Sequence, residues 1–302
     1  MSAGPTPVTG ELLRAMPLPQ HRDGDDKDAR GRVLVVAGSA EVPGAALLSG
    51  LAALRVGVGK LQIATARSVA VPLALAVPEA RVTGLDETPE GEIAPAGGDC
   101  LAGRMGQSDA IVIGPGMMDG ATAGLLTRRL LSDSEAGTTR FVIDAAALHR
   151  LRDCESAIRD GAAAGGIVIT PHAGEMATLL DMPIQDVLSD RLGAARRAAA
   201  ELQVVVAMKG GCTFVVTPEG QAWSCDVGNV GLATSGSGDT LAGIIAGLLA
   251  RGAAPIDATL WGVFLHGEAG ARLARKCGPI GFLARELLPE IPSIMEEISG
   301  AV

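Results

Sequence analysis

Short continuous runs of apolar residues alternate along the chain with longer segments in which apolar residues recur at helical spacing. The first run, Arg32–Ala37, reads RVLVVA, and leucines lie three and four positions apart in the next segment, Gly44–Val58. A second apolar run, Leu61–Thr65, completes a strand–helix–strand unit. Because these strands are continuously apolar rather than alternating, they indicate a sheet that is covered on both faces.

The same alternation continues to the end of the chain. Four further runs predict strands: Asp109–Gly114, Phe141–Asp144, Ile167–Thr170 and Val204–Met208. Helical spacing predicts helices between and before them: Ala121–Leu131, Ala145–Leu151, Gly174–Leu180 and Leu192–Leu202. A hairpin and three closing helices are predicted after them: Thr213–Val216 with Gln221–Ser224, then Ser237–Arg251, Ile256–Arg275 and Phe282–Ser299. This order predicts an α/β layer fold with a largely parallel central sheet.

No break in composition marks a domain linker, so residues 1–302 are predicted to form a single domain. Residues 1–31 are polar and rich in Pro and Asp, which predicts a loosely ordered arm with a short helix near Glu11–Ala15. Thr83–Gly98 has the weakest pattern and predicts a surface loop or hairpin. The apolar runs are shorter than the ~18 residues of a membrane span and the N-terminus lacks a signal-peptide core, so we expect a cytoplasmic protein.

Composition narrows the class of function. The 302 residues are 48% hydrophobic and 20% charged, which excludes global disorder. A net charge of −9, an aromatic content of 2% and the absence of Tyr disfavour a nucleic-acid partner. The five cysteines include no Cys-x-x-Cys pair, so we expect reduced, mostly buried thiols rather than a disulfide framework or a zinc site.

Short polar or glycine-rich segments follow several of the predicted strands. They are Gly38-Ser39, Gly114-Pro115-Gly116, Asp144, Thr170-Pro171-His172 and Lys209-Gly210-Gly211. Ligands of open α/β sheets bind beyond the carboxyl ends of the strands. The shared placement of these segments therefore predicts a single cleft along that edge of the sheet.

The strongest local signal is the segment Gly231–Gly243, GLATSGSGDTLAG, which opens a long apolar helix. Gly236 and Gly238 allow backbone N–H groups to approach a ligand closely, and the helix start adds free donors and the positive end of its dipole. Such a turn can bind phosphate oxygens, with Asp239 beside it as an ionised carboxylate that can accept a proton from a ligand hydroxyl. The alternative is that Ser237 or Asp239 only caps the helix. The segment matches neither a P-loop nor the Gly-x-Gly-x-x-Gly pattern.

Two other strand ends allow both a functional and a structural interpretation. Lys209 precedes two glycines between apolar strands and could meet a phosphate, or could be a solvated turn residue. In the segment Thr170–Glu175, TPHAGE, His172 could contact a substrate and Glu175 could hold Mg²⁺, or both could be ordinary residues of a helix start. His266 is predicted to be a structural helix residue. No spacing matches a Ser-His-Asp triad or a His-x-x-x-His site, and no residue is assigned as a metal ligand.

A set of segments occurs in an order that carries a family resemblance. They read VLVVAGSAEVPGAALLSGLAALRVGVG, IVIGPGM, VIDAAAL, ITPHAGE, MKGGCT, GLATSGSGDTLAGIIAGLL and GFLARELLPEIP. As an ordered set they closely resemble the ADP- or ATP-dependent NAD(P)H-hydrate dehydratases of the ribokinase-like superfamily, over residues 11–292. The resemblance implies a ribokinase-like three-layer α/β/α sandwich with a largely parallel central sheet.

The resemblance also implies an enzyme that repairs NADH and NADPH after hydration of the nicotinamide ring. Such enzymes phosphorylate the hydroxyl of the (6S)-hydrate with ADP or ATP, and loss of phosphate then restores the reduced dinucleotide, which makes them carbon–oxygen lyases. The implied cofactor is Mg²⁺, with ADP or ATP as co-substrate. Relatives are often tetramers, which implies a homo-oligomer, and the implied functional partner is an NAD(P)H-hydrate epimerase on a separate chain.

The family's motifs imply roles for the matching positions of this chain. Asp239 matches the residue at the hydrate hydroxyl, the expected catalytic base. The positions that match hydrate contacts are Ala45, Gly116, His172 and Asp239. The positions that match adenine-nucleotide contacts are Lys209, Gly210, Gly211, Cys212, Thr213 and Gly238.

Four places depart from the family pattern: Asp26-Lys27-Asp28 where His-Lys-Gly is common, Val42 where Tyr is common, Ala146 where a second Asp is common, and Ser235 where Gly is common. We expect these changes to affect the binding of the hydrate more than the binding of the nucleotide. Two other functions stay open at this point, a ribokinase-like small-molecule kinase that releases a stable phosphorylated alcohol and a nucleotide-binding regulator without activity. The residues do not decide between ADP and ATP, or between the hydrates of NADH and NADPH.

Overall fold

Strands from both halves of the chain pair in one sheet. The computed structural model describes residues 4–24, 26–133, 139–154, 158 and 166–300, and its strands form one ten-stranded sheet. The strands are β1 (Thr6–Pro7), β2 (Arg32–Val36), β3 (Lys60–Ala66), β4 (Ala80–Leu85), β5 (Ala110–Ile113), β6 (Arg140–Ile143), β7 (Ile167–Ile169), β8 (Val205–Met208), β9 (Thr213–Val216) and β10 (Ala222–Cys225). Their order in the sheet is β1-β10-β9-β8-β7-β6-β5-β2-β3-β4. Strand β9 runs antiparallel to β8 and β10 and the other neighbouring pairs are parallel, so the predicted largely parallel sheet is confirmed.

Helices connect these strands and close the chain. The α-helices are α1 (Gly10–Arg14), α2 (Gly44–Arg55), α3 (Arg67–Ala76), α4 (Ala102–Met105), α5 (Gly120–Asp133), α6 (Ala173–Leu180), α7 (Ile184–Ser189), α8 (Arg191–Leu202), α9 (Ser237–Ala250), α10 (Pro255–Cys277), α11 (Ala284–Leu287) and α12 (Ile291–Ser299). Short 3₁₀ helices cover Pro95–Cys100, Ala145–Leu148, Leu151–Cys154, Val230–Leu232 and Leu288–Glu290. In the described segments, none of the helices combines the length and the apolar character that a membrane crossing requires.

The two faces of the sheet carry separate apolar cores, which explains why the central strands are apolar throughout. In β2, Val33 and Val35 face one core while Leu34 and Val36 face the other, and all four are fully buried. Helices α2, α9 and α10 cover the first face, and α5, α6 and α8 cover the second. The three-layer α/β/α arrangement is therefore confirmed.

Helix α9, which carries Asp239 in its first turn, packs closely on α2. A Cβ atom added to Gly243 would lie 2.2 Å from the carbonyl oxygen of Ser49, and one added to Gly247 would lie 2.3 Å from Val56 Cγ2. The Ser49 hydroxyl donates a 3.0 Å hydrogen bond to the carbonyl oxygen of Asp239. These contacts fix the start of α9 relative to α2.

The N-terminal arm packs on the fold in its described residues, contrary to the prediction of a loose arm over residues 1–31. Strand β1 pairs with β10, and Leu13 in α1 is fully buried. Trp261 Nε1 donates a 2.8 Å hydrogen bond to the carbonyl oxygen of Met16. The polar composition concealed these few apolar anchors, because their burial partners lie far away in the sequence.

The segment Thr83–Gly98 and the residues before it hold more structure than the surface loop or hairpin that was predicted. Strand β4 ends at Leu85 and forms one edge of the sheet. An antiparallel bridge between Glu87 and Ile93 then closes a loop, and Ile93 is buried in the core. The predicted hairpin is therefore confirmed for the loop between Glu87 and Ile93, but strand β4 was not predicted.

Two predicted helices are broken. The segment Ala145–Leu151 forms two 3₁₀ turns, and Ala145 begins the first of them with a positive φ of 52°. The last predicted helix, Phe282–Ser299, is divided into α11, a 3₁₀ turn and α12. Pro289 and Pro292 lie at the division and lack the N–H group that a continuous helix requires.

All five cysteines are free thiols. Cys154 and Cys225 are buried, Cys212 is partly exposed, and Cys100 and Cys277 are exposed. The expectation of mostly buried thiols is therefore wrong for the last two. Burial raises the pKa of Cys154 and of Cys225 to about 11, so both remain protonated at neutral pH.

Candidate active site

The segments that follow the central strands border a cavity of about 810 Å³. It lies between the turn after β8, the 3₁₀ helix Val230–Leu232, the start of α9 and the middle of α10. The predicted site residues that line it are His172, Lys209, Gly210, Gly211, Thr213 and Gly238. The remaining predicted residues, Ala45, Gly116, Cys212 and Asp239, are outside its lining.

The lining of the cavity combines charged, glycine and apolar residues. Lys209 and Gly238 lie where α9 begins. The apolar walls are formed by Cys225, Val227, Leu232, Leu241 and Val263. A cavity of this kind fits a ligand that combines an anionic group with a flat apolar group.

The start of α9 is capped by backbone alone in the described residues, with the N–H of Ser237 donating a 3.2 Å hydrogen bond to the carbonyl oxygen of Thr234. Gly236 occupies the N-cap position with a φ of 86°, and in the described chain no side chain caps the helix. A Cβ atom on Gly236 would lie 2.4 Å from Leu48 Cδ1, so this position requires glycine. The Ser237 hydroxyl does not cap the helix but lies 2.8 Å from Nε2 of His266, a partner that the sequence did not indicate.

A charged cluster lies beside the start of α9, at the ends of three neighbouring strands. Lys209 follows β8, and its Nζ donates a 2.8 Å hydrogen bond to Oδ1 of Asp144, which follows β6. Thr170, after β7, donates to the same oxygen at 2.7 Å. Lys209 Nζ also lies 3.6 Å from Oε2 of Glu175. The Asp144 side chain is only 2% exposed, so its charge is balanced inside the protein by Lys209.

The surroundings of Asp239 raise its pKa to about 6. Burial is the main cause, the negative charges of Asp144 and Glu175 add to it, and the positive charge of Lys209 opposes it. The helix dipole was expected to favour the ionised carboxylate, but burial outweighs that effect. A carboxylate with a pKa near neutrality is suited to accept and return a proton.

Lys209 itself stays positively charged. Burial disfavours its charged form, but the carboxylates of Asp144 and Glu175 outweigh burial and raise the pKa of Lys209 above its ordinary value. A Cβ atom on Gly238 would lie 3.4 Å from Lys209 Nζ. The ammonium group therefore lies directly against the glycine turn, where it adds positive charge to the helix start.

His172 and Glu175 form the start of α6. His172 Nδ1 accepts hydrogen bonds from the N–H groups of Gly174 at 3.0 Å and Glu175 at 3.3 Å, while Glu175 Oε2 accepts from the N–H of His172 at 2.7 Å. The other ring nitrogen, Nε2, lies 3.2 Å from Glu175 Oε1. The His172 side chain is 58% exposed, so its outer edge is open at the cavity. The structural interpretation of both residues is therefore confirmed, and it leaves room for contact with a ligand.

Ala45, at the start of α2, meets Gly116, in the loop after β5. A Cβ atom on Gly116, which has a φ of 69°, would lie 2.6 Å from Ala45 Cβ. The N–H of Gly38 donates a 2.8 Å hydrogen bond to the carbonyl oxygen of Pro115 and joins the loop after β2 to the loop after β5. Ala45 is one helical turn from Ser49, the residue that bonds to Asp239. This contact therefore adjoins the first turn of α9.

The loop that contains Gly91 and Glu92 is hydrogen-bonded to the loops after β2 and β5. Glu92 is 5% exposed, and its Oε1 accepts a 3.0 Å hydrogen bond from the N–H of Met118 in the loop after β5. The carbonyl oxygen of Gly91 accepts a 2.9 Å hydrogen bond from the N–H of Ala40 in the loop after β2. The loop that precedes Ile93 is therefore bonded to the loop that carries Gly116 and to the loop that leads into α2, where Ala45 lies.

Comparison with known proteins identifies the family of this arrangement. A family model described as NAD(P)H-hydrate dehydratase matches residues 33–293. A protein of Xanthomonas campestris pv. campestris named ADP-dependent (S)-NAD(P)H-hydrate dehydratase is 48% identical over 292 residues, which cover 96% of each chain. The chain belongs to the NAD(P)H-hydrate dehydratase family.

Solved structures share the fold over nearly the whole length. The ADP/ATP-dependent NAD(P)H-hydrate dehydratase of Bacillus subtilis, co-crystallised with ATP/Mg²⁺, matches with a TM-score of 0.81 and 30% identity, covering 98% of this chain and 100% of that one. A ribokinase-like superfamily protein of Enterococcus faecalis matches with a TM-score of 0.81 and 27% identity, covering 98% of this chain and 97% of that one. The predicted ribokinase-like fold is confirmed.

The structure of this NAD(P)H-hydrate dehydratase family member also shows two residues to which sequence reasoning gave no role. Asp144 was noted only because it follows a strand, and Thr170 only as part of a strand end. Asp144 holds Lys209 in its position at the cavity, and Thr170 donates a hydrogen bond to the same carboxylate oxygen. A buried carboxylate at the carboxyl end of a central strand is the signal that could have found Asp144. Of the family departures, Val42 and Ser235 are exposed and Ala146 is partly buried.

Proposed function

We propose that this chain is an ADP-dependent NAD(P)H-hydrate dehydratase that acts on the (6S)-hydrates of NADH and NADPH. The observation that carries the proposal is the position of the Asp239 carboxyl, beside a glycine turn and a buried Lys209–Asp144 pair. The name of the Xanthomonas relative, at 48% identity, supports the same activity and the choice of ADP. The net reaction converts the hydrate and ADP into NAD(P)H, AMP and phosphate.

The chemical problem is that the ring hydroxyl is a poor leaving group. In the first step, the Asp239 carboxylate accepts the hydroxyl proton while the oxygen attacks the terminal phosphorus of ADP and AMP leaves. In the second step, the bond between ring carbon and oxygen breaks and phosphate departs. Loss of a proton from the neighbouring ring carbon to the departing phosphate restores the double bond. Phosphoryl transfer thus makes the oxygen a good leaving group.

The positive groups where α9 begins serve the first step. Lys209 Nζ and the N–H groups at the start of α9 lie together, because Gly238 allows their close approach. Charge builds on the phosphate oxygens as the phosphoryl group moves, and donors that are already oriented stabilise that charge. The second carboxylate, Asp144, contributes to this step only by holding Lys209 through a hydrogen bond.

The apolar walls of the cavity fit an adenine ring. The turn from Lys209 to Thr213, together with Gly238, is proposed to contact the nucleotide, with its glycines near the phosphates. Cys212 lies in this turn, although it does not line the cavity. Ala45, Gly116 and His172 are proposed to contact the hydrate, because the first two adjoin the start of α9 and the third stands at the cavity rim.

The residues present fit Mg²⁺ when a nucleotide is bound. Glu175 presents a carboxylate beside Lys209, whereas no group of three His, Cys, Asp or Glu side chains in the described segments forms a complete metal site. Mg²⁺ in phosphoryl-transfer sites is usually held by one or two carboxylates, and phosphate oxygens and water complete its shell. Glu175 would hold the ion, which supplies neutralisation of phosphate charge when it is bound.

An absorbance assay at the reduced-nicotinamide band tests the proposed function. With (6S)-NADH hydrate, Mg²⁺ and ADP, we expect absorbance to recover while AMP and phosphate form in equal amounts. ATP in place of ADP, and NADPH hydrate in place of NADH hydrate, measure the two preferences. A stable phosphorylated alcohol without recovered absorbance would instead identify a small-molecule kinase, and tight nucleotide binding without turnover would identify a regulator.

The proposed activity also bears on partners and location. Because the S configuration is specified for the Xanthomonas relative, an epimerase on a separate chain would be needed to convert hydrate of the R configuration into the S form. A homo-oligomer, with a tetramer as the implied state, is supported by Val71 and Leu75, which are 70% and 80% exposed on α3 beside the edge strand β4. Sedimentation equilibrium tests this state. A cytoplasmic location is supported by the five free thiols and is tested by cell fractionation.

A further inference from the structure

The turn between β8 and β9 is held by a guanidinium group that lies behind it. Arg191 begins α8, and its Nη2 donates hydrogen bonds to the carbonyl oxygens of Cys212 at 2.6 Å and Met208 at 3.3 Å. These two carbonyls flank residues 209–211, the part of the turn that lines the cavity. Arg191 is not among the residues that line the cavity. It therefore acts on the turn from outside the ligand space.

Gly210 and Phe214 pack directly against this guanidinium group. A Cβ atom on Gly210 would lie 2.1 Å from Arg191 Nη2 and 2.3 Å from its Cζ. The guanidinium carbon lies 5.4 Å from the centre of the Phe214 ring, which is a cation–π distance. A Cβ atom on Gly211 would meet nothing within 4 Å. The two adjacent glycines therefore differ, because a side chain at Gly210 alone would have to displace the guanidinium group of Arg191.

The local environment in α8 does not explain an arginine at this position. A positive charge in the first turn of a helix faces the positive end of the helix dipole, which is unfavourable. Asp190 caps the helix by accepting a 2.8 Å hydrogen bond from the N–H of Gly193. The contacts of the Arg191 guanidinium group are instead with the turn between β8 and β9. Its planar guanidinium can reach two carbonyls at once and lie flat on a ring, which the ammonium group of a lysine cannot do.

We infer that Arg191 is a positioning residue of the nucleotide site. It holds the backbone on both sides of Lys209, so that the ammonium group and the N–H groups of the turn face the cavity before ADP arrives. Without it, the turn must be ordered when ADP binds, which weakens ADP binding. Two of the three proposed hydrate contacts, Ala45 and Gly116, lie outside the cavity lining that this turn forms, so we expect hydrate binding to depend on Arg191 much less than ADP binding does. The inference rests on the proposed nucleotide contacts of residues 209–213.

Arg191→Ala and Arg191→Lys test the inference in the dehydratase assay and by calorimetric titration with ADP. We expect Arg191→Ala to raise KM and Kd for ADP by about tenfold or more, while KM for the hydrate stays within about twofold. Arg191→Lys keeps the charge and length, and we expect a weaker effect in the same direction. The matched control is Arg197→Met, an exposed arginine of the same helix that pairs with Glu201 at 2.7 Å. We expect it to change neither constant.

A double-mutant cycle adds a readout that a general loss of stability would not produce. Gly210→Ala places a methyl group against the guanidinium, so we expect a rise of about tenfold or more in Kd for ADP. In the Arg191→Ala background that obstacle is absent, so the same change should raise Kd by less than about threefold. The two effects are therefore expected to be strongly non-additive.

Several outcomes would overturn the inference. An unchanged Kd for ADP in Arg191→Ala, an equal rise of both KM values, or additive effects in the cycle would each do so. If Arg191→Ala does not fold, Arg191→Lys decides the matter, and an unchanged Kd for ADP in that variant would count against the inference. If the wild type binds ADP but does not restore NAD(P)H, the proposed function fails while the calorimetric comparison still tests Arg191.

Discussion

Asp239→Asn removes one proton acceptor from the proposed site and changes little else. Asn is nearly the same size as Asp, and the N–H groups at the start of α9 remain in place. Removal of a general base typically lowers a rate by about 10²–10⁴-fold. We therefore expect kcat to fall by roughly 10³-fold, while Kd for ADP stays within about threefold.

The same substitution is expected to stabilise the protein. Burial raises the pKa of Asp239 from 3.8 to about 6, so the folded chain holds this proton more tightly than the unfolded chain. The free energy of unfolding therefore falls as pH rises from 3.8 to about 6, and it stays at the lower value above that range. At about 1.4 kcal/mol for each pH unit, the penalty at pH 8 is roughly 3 kcal/mol. Asp239→Asn removes it, because the amide carries no charge.

The pH dependence of kcat/KM and the pH dependence of stability both test the prediction. In the wild type, kcat/KM should rise with pH and level off above about 6, because only the ionised carboxylate accepts a proton. In thermal unfolding, the stability gained by Asp239→Asn should be largest near pH 8 and small near pH 4. The matched control is Asp257→Asn in the first turn of α10, where burial also raises the pKa but the residue is outside the cavity lining. We expect that control to keep full activity.

The reasoning would be refuted by turnover of Asp239→Asn within about tenfold of the wild type, since a base would then be unnecessary. It would also be refuted by a stability difference that stays constant between pH 8 and pH 4. A constant difference would mean that the carboxyl is not the buried group with a raised pKa that the structure shows.

Three further substitutions separate the parts of the site. Lys209→Met leaves Asp144 buried without its positive partner, so we expect a loss of about 3–5 kcal/mol in chemical denaturation and of about 100-fold or more in kcat. Gly116→Ala places a methyl group 2.6 Å from Ala45 Cβ, so KM for the hydrate should rise by about tenfold while calorimetry shows unchanged ADP binding. Glu92→Met removes the acceptor that holds the loop after β5, and we expect steady-state kinetics to show a rise of about threefold or more in KM for the hydrate alone.

Matched controls for these variants lie away from the cavity. Lys276→Met changes an exposed lysine, Gly103→Ala adds a methyl group where nothing lies within 4 Å, and Glu79→Met changes an exposed glutamate. We expect each to retain wild-type kinetics. Full activity of Lys209→Met would contradict the role of the charged cluster. An unchanged KM for the hydrate in either loop variant would contradict the proposed place of the hydrate.

The site residues that come directly after a strand or at the start of a helix could be predicted from the sequence. Lys209, His172 and Gly238 lie at strand ends or at a helix start, which local patterns reveal, and all three line the cavity. Arg191 and Glu92 could not be predicted in this way. Neither belongs to a recognisable motif, and each acts through a backbone group that is distant in the sequence.

The sequence by itself determined the order of strands and helices, the two buried faces of the sheet and the family, because apolar spacing and ordered motifs depend on residues that are close together in the chain. Only the tertiary structure decided that the arm packs through Leu13, that Asp144 neutralises Lys209 across a separation of 65 residues, and that burial raises the pKa of Asp239. These properties depend on burial and on pairs of charges between distant segments. Such pairs exist only after the strands have assembled, so no local pattern can encode them.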